Sequence, residues 1–305
     1  MSNTLRPGIH QLTMAEYLAL PYLNAGLCNT ILQYSPLHAK WEQDHRQDEQ
    51  STVSEKGTAI HDGLLEGINR IVLIDPEMYP SQKGDIPTGW TNNAIRAARD
   101  SARSQGSIPM LPDDYLSVTG AVVAAKAFVA KSEIAGVFDA GKPEQTLIWQ
   151  EGAVTCKARP DWLSADHSIM LHVKTTKGSA SPFAFPRVVD GMGYDVALMF
   201  YERGLLSVSE FASASGCRSI ILAIEQEPPH GCALYDLDPA KASLATSKVN
   251  RAISAWQECT ASGKWPCYDR RIHSIEPKPW QIAEEEGAQL GDVYDQLQER
   301  QGLQA

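Results

Sequence analysis

Close cysteine pairs are missing from this sequence. The six cysteines, at 28, 156, 217, 232, 259 and 267, include no CxxC spacing. A disulfide framework is therefore not indicated, and reduced thiols are the expected state. No positively charged stretch followed by an apolar core opens the chain, so no secretory signal is expected. No run of about 18 apolar residues occurs, which argues against a membrane span. An excess of positive charge is also missing. The net charge of −10 argues against nonspecific coating of nucleic acid, although a local basic groove can work on an acidic body. Together these absences give a cytoplasmic protein as the expectation.

What is present is ordinary for a globular chain. Of 305 residues 43% are hydrophobic and 21% charged, enough for a sizeable core. Residues 14–46 read as helix interrupted at Pro21. The segment EKGTAIHDGLLEGINRI repeats apolar residues at helical spacing through Ile60, Leu64, Leu65 and Ile68, with Thr58 as its expected N-cap. Two more helices follow, in NNAIRAARDSARSQG and DDYLSVTGAVVAAKAFVAKSE. β character then takes over. EQTLIWQEG, AVTCKARPDWLS and SIMLHVKTT read as three successive strands, followed by a helix in VVDGMGYDVALMFYERGL and strands in RSIILAIEQ and CALYDLD. A closing helix is expected over about 239–262, and a polar helix in the tail. The predicted organisation is a single domain over 1–275, with a helical part at about 10–135 and a strand core at about 143–238, then a polar tail at 276–305. The fold class is α/β, one core wrapped by an N-terminal helical portion.

Strand alternation selects the chemistry. In SIMLHVKTT, Met170, His172 and Lys174 face one way, and Ile169, Leu171 and Val173 the other. In the preceding strand Lys157, Arg159 and Asp161 share a face. With neighbouring strands about 4.8 Å apart, Asp161, His172 and Lys174 can converge on one ion and one phosphate. A hard divalent cation held by carboxylate oxygen neutralises phosphate charge and acidifies water, and a lysine stabilises charge that develops on the phosphate. The same residues also describe an unremarkable solvated strand face.

The ordered motifs GTAIHDGLLEG, KARPDWL, VKTT, GYDVALMFY, EPPHGCALYDLD and GKWPCY resemble those of the PD-(D/E)XK nuclease superfamily, in particular its exodeoxyribonuclease VIII-like (RecE-type) phage and prophage branch. The N-terminal PGIHQLTMAEYLALPYLN and SPLHAKW extend the likeness over roughly residues 7–270. The resemblance implies a restriction-endonuclease-like core, a central mixed sheet flanked by helices. It also implies Mg²⁺- or Mn²⁺-dependent digestion of duplex DNA ends in recombination, beside a single-strand annealing protein, in a ring-shaped homo-oligomer. By the same resemblance Asp161 is the first strand acid and Lys174 the catalytic lysine. The Val173 carbonyl is a metal ligand, as are His61 and Glu66 of the first motif, and Tyr194 is the tyrosine of the helix motif. Without that context, His61 reads as an ordinary hydrogen-bonded helix residue.

Two positions depart from the pattern. The second acid is His172 here, and the helix-motif glutamine is Ala197. Two unit charges about 4 Å apart interact by roughly 4 kcal/mol at an effective dielectric of 20, so the missing carboxylate weakens a metal site. Three outcomes stand open. Imidazole can ligate a softer ion, which favours Mn²⁺. A carboxylate can arrive from Asp195, Glu66 or Glu151. Or catalysis is lost, leaving a protein that binds DNA ends or serves as an assembly module. For contact with DNA the candidates are Lys157 and Arg159 beside Asp161, and the stripe Arg96, Arg99 and Arg103 on one helix face.

Overall fold

This computed structural model describes residues 5–45, 55–67 and 70–302. Contacts divide the chain into two units, Met1–Cys267 and Tyr268–Ala305. In the first unit a short strand, β1 (Gly8–His10), precedes three short helices, α1 (Met14–Ala19), α2 (Ala25–Gln33) and α3 (Pro36–Asp44). Each starts at its own side-chain cap: Thr13, Asn24 and Ser35 each accept a backbone N–H of the first turn, satisfying a donor the helix itself leaves unpaired. Three caps, rather than one proline, divide the expected helix over 14–46.

Helix α4 (Glu55–Leu65) begins before Thr58, which therefore lies inside it; Ile68 falls outside the described residues. The chain then runs through β2 (Ile71–Leu73), α5 (Asn93–Ser104), β3 (Ile108–Met110) and α6 (Pro112–Val129). Strands follow: β4 (Gly141–Pro143), β5 (Thr146–Glu151), β6 (Val154–Ala158), β7 (Trp162–Ser164) and β8 (Ile169–Thr176). Helices α7 (Phe185–Met192), α8 (Tyr194–Val208) and α9 (Glu210–Ser215) lead to β9 (Arg218–Glu225), β10 (Cys232–Tyr235) and α10 (Pro239–Ser262). The second unit carries α11 (Pro279–Gly302), where the polar tail helix was expected.

The main sheet has the order β10-β9-β8-β7-β4. Its β8–β9 pair is parallel and its other pairs are antiparallel. Leu171 and Val173 of β8 pack with Ile60, Val118, Ala121 and Ala125 of α4 and α6, whereas Met170 packs on the opposite side with Val196 and Phe200 of α8 and Ile253 of α10. The sheet is thus covered on both faces by helices, and the alternation read in SIMLHVKTT is the alternation observed. No helix among the described residues is long and apolar enough to cross a membrane.

One strand differs from expectation in a way that moves the site. AVTCKARPDWLS is two strands in two sheets. β6 pairs with β5, and β5 with β1, in a separate three-stranded sheet; β7 belongs to the main sheet. The break falls at Arg159-Pro160-Asp161, where proline has no N–H to continue a ladder. Lys157 and Asp161, expected on one face of one strand, therefore lie in different layers.

Close packing between the layers is tight at Gly204 of α8. A Cβ there would lie 2.6 Å from Cζ3 of Trp149, a fully buried ring packed on Phe200 at 4.8 Å. Gly204→Ala is expected to cost about 1–3 kcal/mol through overpacking, outweighing the better helix propensity of alanine. A lowered urea midpoint checks this; an unchanged or raised midpoint would show that Trp149 has room to move.

Candidate metal centre

The register of three short strands builds the centre. β4 pairs with β7 so that Pro143 opposes Trp162, and the ladder continues one step further: the Glu144 N–H donates to the Asp161 carbonyl at 3.1 Å. On the other side Trp162 opposes Leu171 of β8, which sets Asp161 across from His172. Glu144, Asp161 and His172 thus lie in one row across the sheet. Beyond Trp162 the β7–β8 ladder opens, and the freed Val173 N–H donates to Oδ2 of Asp161 at 2.6 Å. In a β-strand the N–H and C=O of a residue lie on the same edge, so the Val173 carbonyl is directed to the same side.

His61 enters from α4. Its Nε2 is 3.3 Å from Oε1 of Glu144 and 3.5 Å from Oδ1 of Asp161. One ligand atom from each of His61, Glu144 and Asp161 can be chosen so that all lie within 4.8 Å of one another. The Lys174 ammonium is 3.5 Å from Oδ2 of Asp161 and 5.6 Å from the ring centre of Tyr194 at the start of α8. Glu144 is held by Arg159, whose guanidinium also donates to the Leu12 carbonyl at 2.7 Å. Glu144 adopts φ 55°, a left-handed conformation that costs a non-glycine residue energy and persists only where surrounding contacts enforce it.

The electrostatics concentrate negative charge around His61, and a cation bound there would displace the imidazole proton. Burial opposes the charged form of His61, but hydrogen bonds to Asp161 and Asp62 outweigh it and push the imidazole up to about 10. Burial would raise Asp161, yet Lys174 and His61 hold it well below the ordinary carboxylate range. Glu144 moves the other way, raised by burial and by the neighbouring Asp161 charge. Two carboxylates with environments that push them apart, around an imidazole, are the pattern of a functional cluster. Two carboxylate groups and one imidazole suit a divalent cation.

His172 does not join this group. It is 4% exposed, its Nε2 has no hydrogen-bond partner among the described residues, and its ring lies 5.1 Å from that of Tyr201. Burial brings it down to about 4, so it is neutral at pH 7 and adds no repelling charge. The carboxylate that the structure sets beside His61 and Asp161 is Glu144, on the flank of Asp161 opposite β8, rather than Asp195, Glu66 or Glu151. Asp195 is paired with Lys248 of α10 at 2.7 Å, Glu151 with Arg203, and Glu66 is exposed beyond the end of α4.

The basic candidates scatter. Lys157 is fully buried and donates to the carbonyls of Tyr17 and Leu20. Arg159 is turned inward onto Glu144. Arg103 is paired with Glu55 at 2.7 Å, Arg99 with Asp100 at 2.8 Å, and Arg96 donates to Asn93 at 2.7 Å. Besides Glu144, sequence reading missed Tyr201, half-buried between His172 and the backbone of Arg159. Its signal was available: seven residues after Tyr194, it returns to the same side of α8 two turns on.

A sheet of this order between two helical layers, with an acid pair and a lysine where its central strands part, defines a PD-(D/E)XK-type nuclease fold. The chain belongs to the family of PDDEXK-like domains of unknown function (DUF3799), whose model matches residues 117–276. That range contains Glu144, Asp161, His172 and Lys174 but not His61. Among solved structures, a candidate exonuclease from Eubacterium rectale is similar in fold, with a TM-score of 0.53 at 10% identity, covering 90% of this chain and 98% of that one. A phage-related exonuclease from Haemophilus somnus 129PT aligns over 80% of this chain and 96% of that one at 11% identity, with a TM-score of only 0.32. No curated protein matches the sequence.

Proposed function

We propose that this protein is a metal-dependent deoxyribonuclease that hydrolyses phosphodiester bonds at the ends of duplex DNA. The observation that carries the reading is the convergence of His61, Glu144 and Asp161, drawn from three separate segments, beside the ammonium of Lys174. In this reading His61, Glu144, Asp161 and the Val173 carbonyl hold the cation. When bound, the cation neutralises phosphate charge and lowers the pKa of water at the site. Lys174, beside Asp161, stabilises negative charge as it builds on the phosphate. Tyr194 fixes the lysine by lying under its ammonium, and Arg159 fixes Glu144. His172 and Tyr201 close the floor of the site without charge. The donor set takes Mn²⁺ at least as readily as Mg²⁺, because one ligand is imidazole.

The place of such an activity is phage-type recombination, where a processed end passes to a single-strand annealing protein. A ring-shaped homo-oligomer around the duplex belongs to the same reading. Support for this finer assignment is the motif likeness together with the exonuclease-like fold.

Degradation of linear duplex DNA in Mg²⁺ and in Mn²⁺ tests the activity. Lys174→Ala is expected to lower the rate by about 10²- to 10³-fold, the usual loss when one group stabilising a developing charge is removed. Equal background rates for wild type and variant in both metals would end the enzyme reading and leave a non-cleaving protein that binds DNA ends.

A further inference from the structure

Between Lys174 and Tyr194 the chain leaves the candidate centre and comes back to it, since the ammonium of one rests over the ring of the other. Inside this excursion two residues are pinned in the core. Ala180 is 2% and Phe185 1% exposed, in a cluster with Leu198 of α8 and with Ile221 and Ala223 of β9. The Ala180 N–H donates to the Glu225 carboxylate at 2.8 Å, and its carbonyl accepts from the Tyr235 hydroxyl. The Phe185 ring stacks on that of Tyr235 at 4.9 Å and 21°. Ala223 is the register partner of Lys174 on the adjacent strand, so both anchors sit one strand away from the lysine.

Phe183 lies between these anchors and is 82% exposed. Buried residues on both sides hold it out of the core rather than letting it turn inward. The Arg187 guanidinium lies 5.6 Å from its ring centre. The local charge is unlike that of the whole chain. Lys241 and Lys248 meet Asp190 and Asp195, while Lys177 and Arg187 have no carboxylate within salt-bridge distance among the described residues. An exposed aromatic face with a guanidinium 5.6 Å away, on a segment whose two ends meet at the candidate centre, matches one ligand chemistry. Nucleobases stack on such rings, and the cations meet the phosphates that join them.

We propose that Phe183, backed by Arg187, is a stacking platform for a nucleobase of the DNA strand held at the metal centre. The inference rests on the nuclease reading and adds the residue that positions the strand end. Because Phe183 is exposed, replacing it does not open the core.

The test uses short duplexes with 2-aminopurine as the terminal nucleotide of either strand, mixed with the full chain in Ca²⁺ in place of Mg²⁺ or Mn²⁺, so that a cation offsets the carboxylates while hydrolysis is held back. Wild type and Phe183→Trp should quench the fluorescence of one labelled end. Phe183→Ala should lose the quench and bind about tenfold more weakly, the order expected for one base–aromatic stack. Arg187→Gln should weaken binding while keeping part of the quench. Quench and affinity unchanged in Phe183→Ala would overturn the platform while leaving the nuclease reading intact. A wild-type protein that binds none of these duplexes would remove both. A shift of Phe183→Ala to a smaller assembly by light scattering, with DNA binding unaltered, would make this face a contact between copies and also overturn the proposal.

Discussion

Asp161→Asn is expected to reduce metal-dependent hydrolysis by about 10³-fold, and Glu144→Gln by a comparable factor. Each replacement removes one negative charge from a partly enclosed cluster in which Asp161 and Glu144 flank His61. A charge about 4 Å from a cation is worth roughly 4 kcal/mol at an effective dielectric of 20, and each 1.36 kcal/mol is about one decade. Calorimetric titration with Mn²⁺ should show the loss as affinity, apart from any effect on turnover. His172→Ala supplies the contrast. Its imidazole is neutral and lies outside the three-residue group, so Mn²⁺ affinity should change by no more than about threefold, the scale of sub-kcal/mol effects. If His172→Ala abolished Mn²⁺ binding while Glu144→Gln left it intact, the ligand set would be the one sequence reading proposed, with histidine in place of the second acid.

The second large effect concerns stability. Lys157→Met is expected to cost on the order of 3 kcal/mol, because two carbonyls, one in a buried and one in a part-buried hydrogen bond, lose a charged donor. Those carbonyls belong to Tyr17 and Leu20, at the C-terminal end of α1, where the helical ladder runs out; the Tyr17 carbonyl also accepts the Leu20 N–H at 3.3 Å. The Lys157 ammonium meets them at 2.7 and 2.6 Å and lies 4.5 Å from the centre of the Tyr17 ring. A cation is also favoured there by the helix dipole. Methionine keeps most of the volume and none of the donors. For a unit of this size the loss corresponds to roughly 10 °C in Tm, readable by differential scanning fluorimetry. DNA affinity measured well below that Tm should be unchanged. A variant with native Tm but weakened DNA binding would instead place the ammonium on the DNA face.

Lys157 shows why part of the site was not legible. Alternation along KARPD correctly gives the side on which each residue would fall in one continuous strand. Pro160 ends that continuity, and the chain passes from one sheet to another within three residues. Periodicity carries no mark of such a transfer. The same limit hid Glu144. Its carboxylate meets Asp161 only because β4 pairs with β7, a pairing of two three-residue strands too short to show a period of their own. Its inward turn further depends on a left-handed backbone and on Arg159. Arg159, read as a phosphate contact, is drawn inward by that same carboxylate.

By itself the sequence determined the local order: the capped helices, the two-sided burial of β8, and a proline-aspartate followed by a lysine at a strand spacing that places them together. These depend on periods of 3.6 and 2 and on capping chemistry, which act over a few residues. Tertiary structure alone decided which acid accompanies Asp161, which cation stays at the site and which is buried under a helix end. Those outcomes follow from strand register between distant segments and from desolvation. Both are properties of the assembled layers, and neither is written in any short stretch of chain.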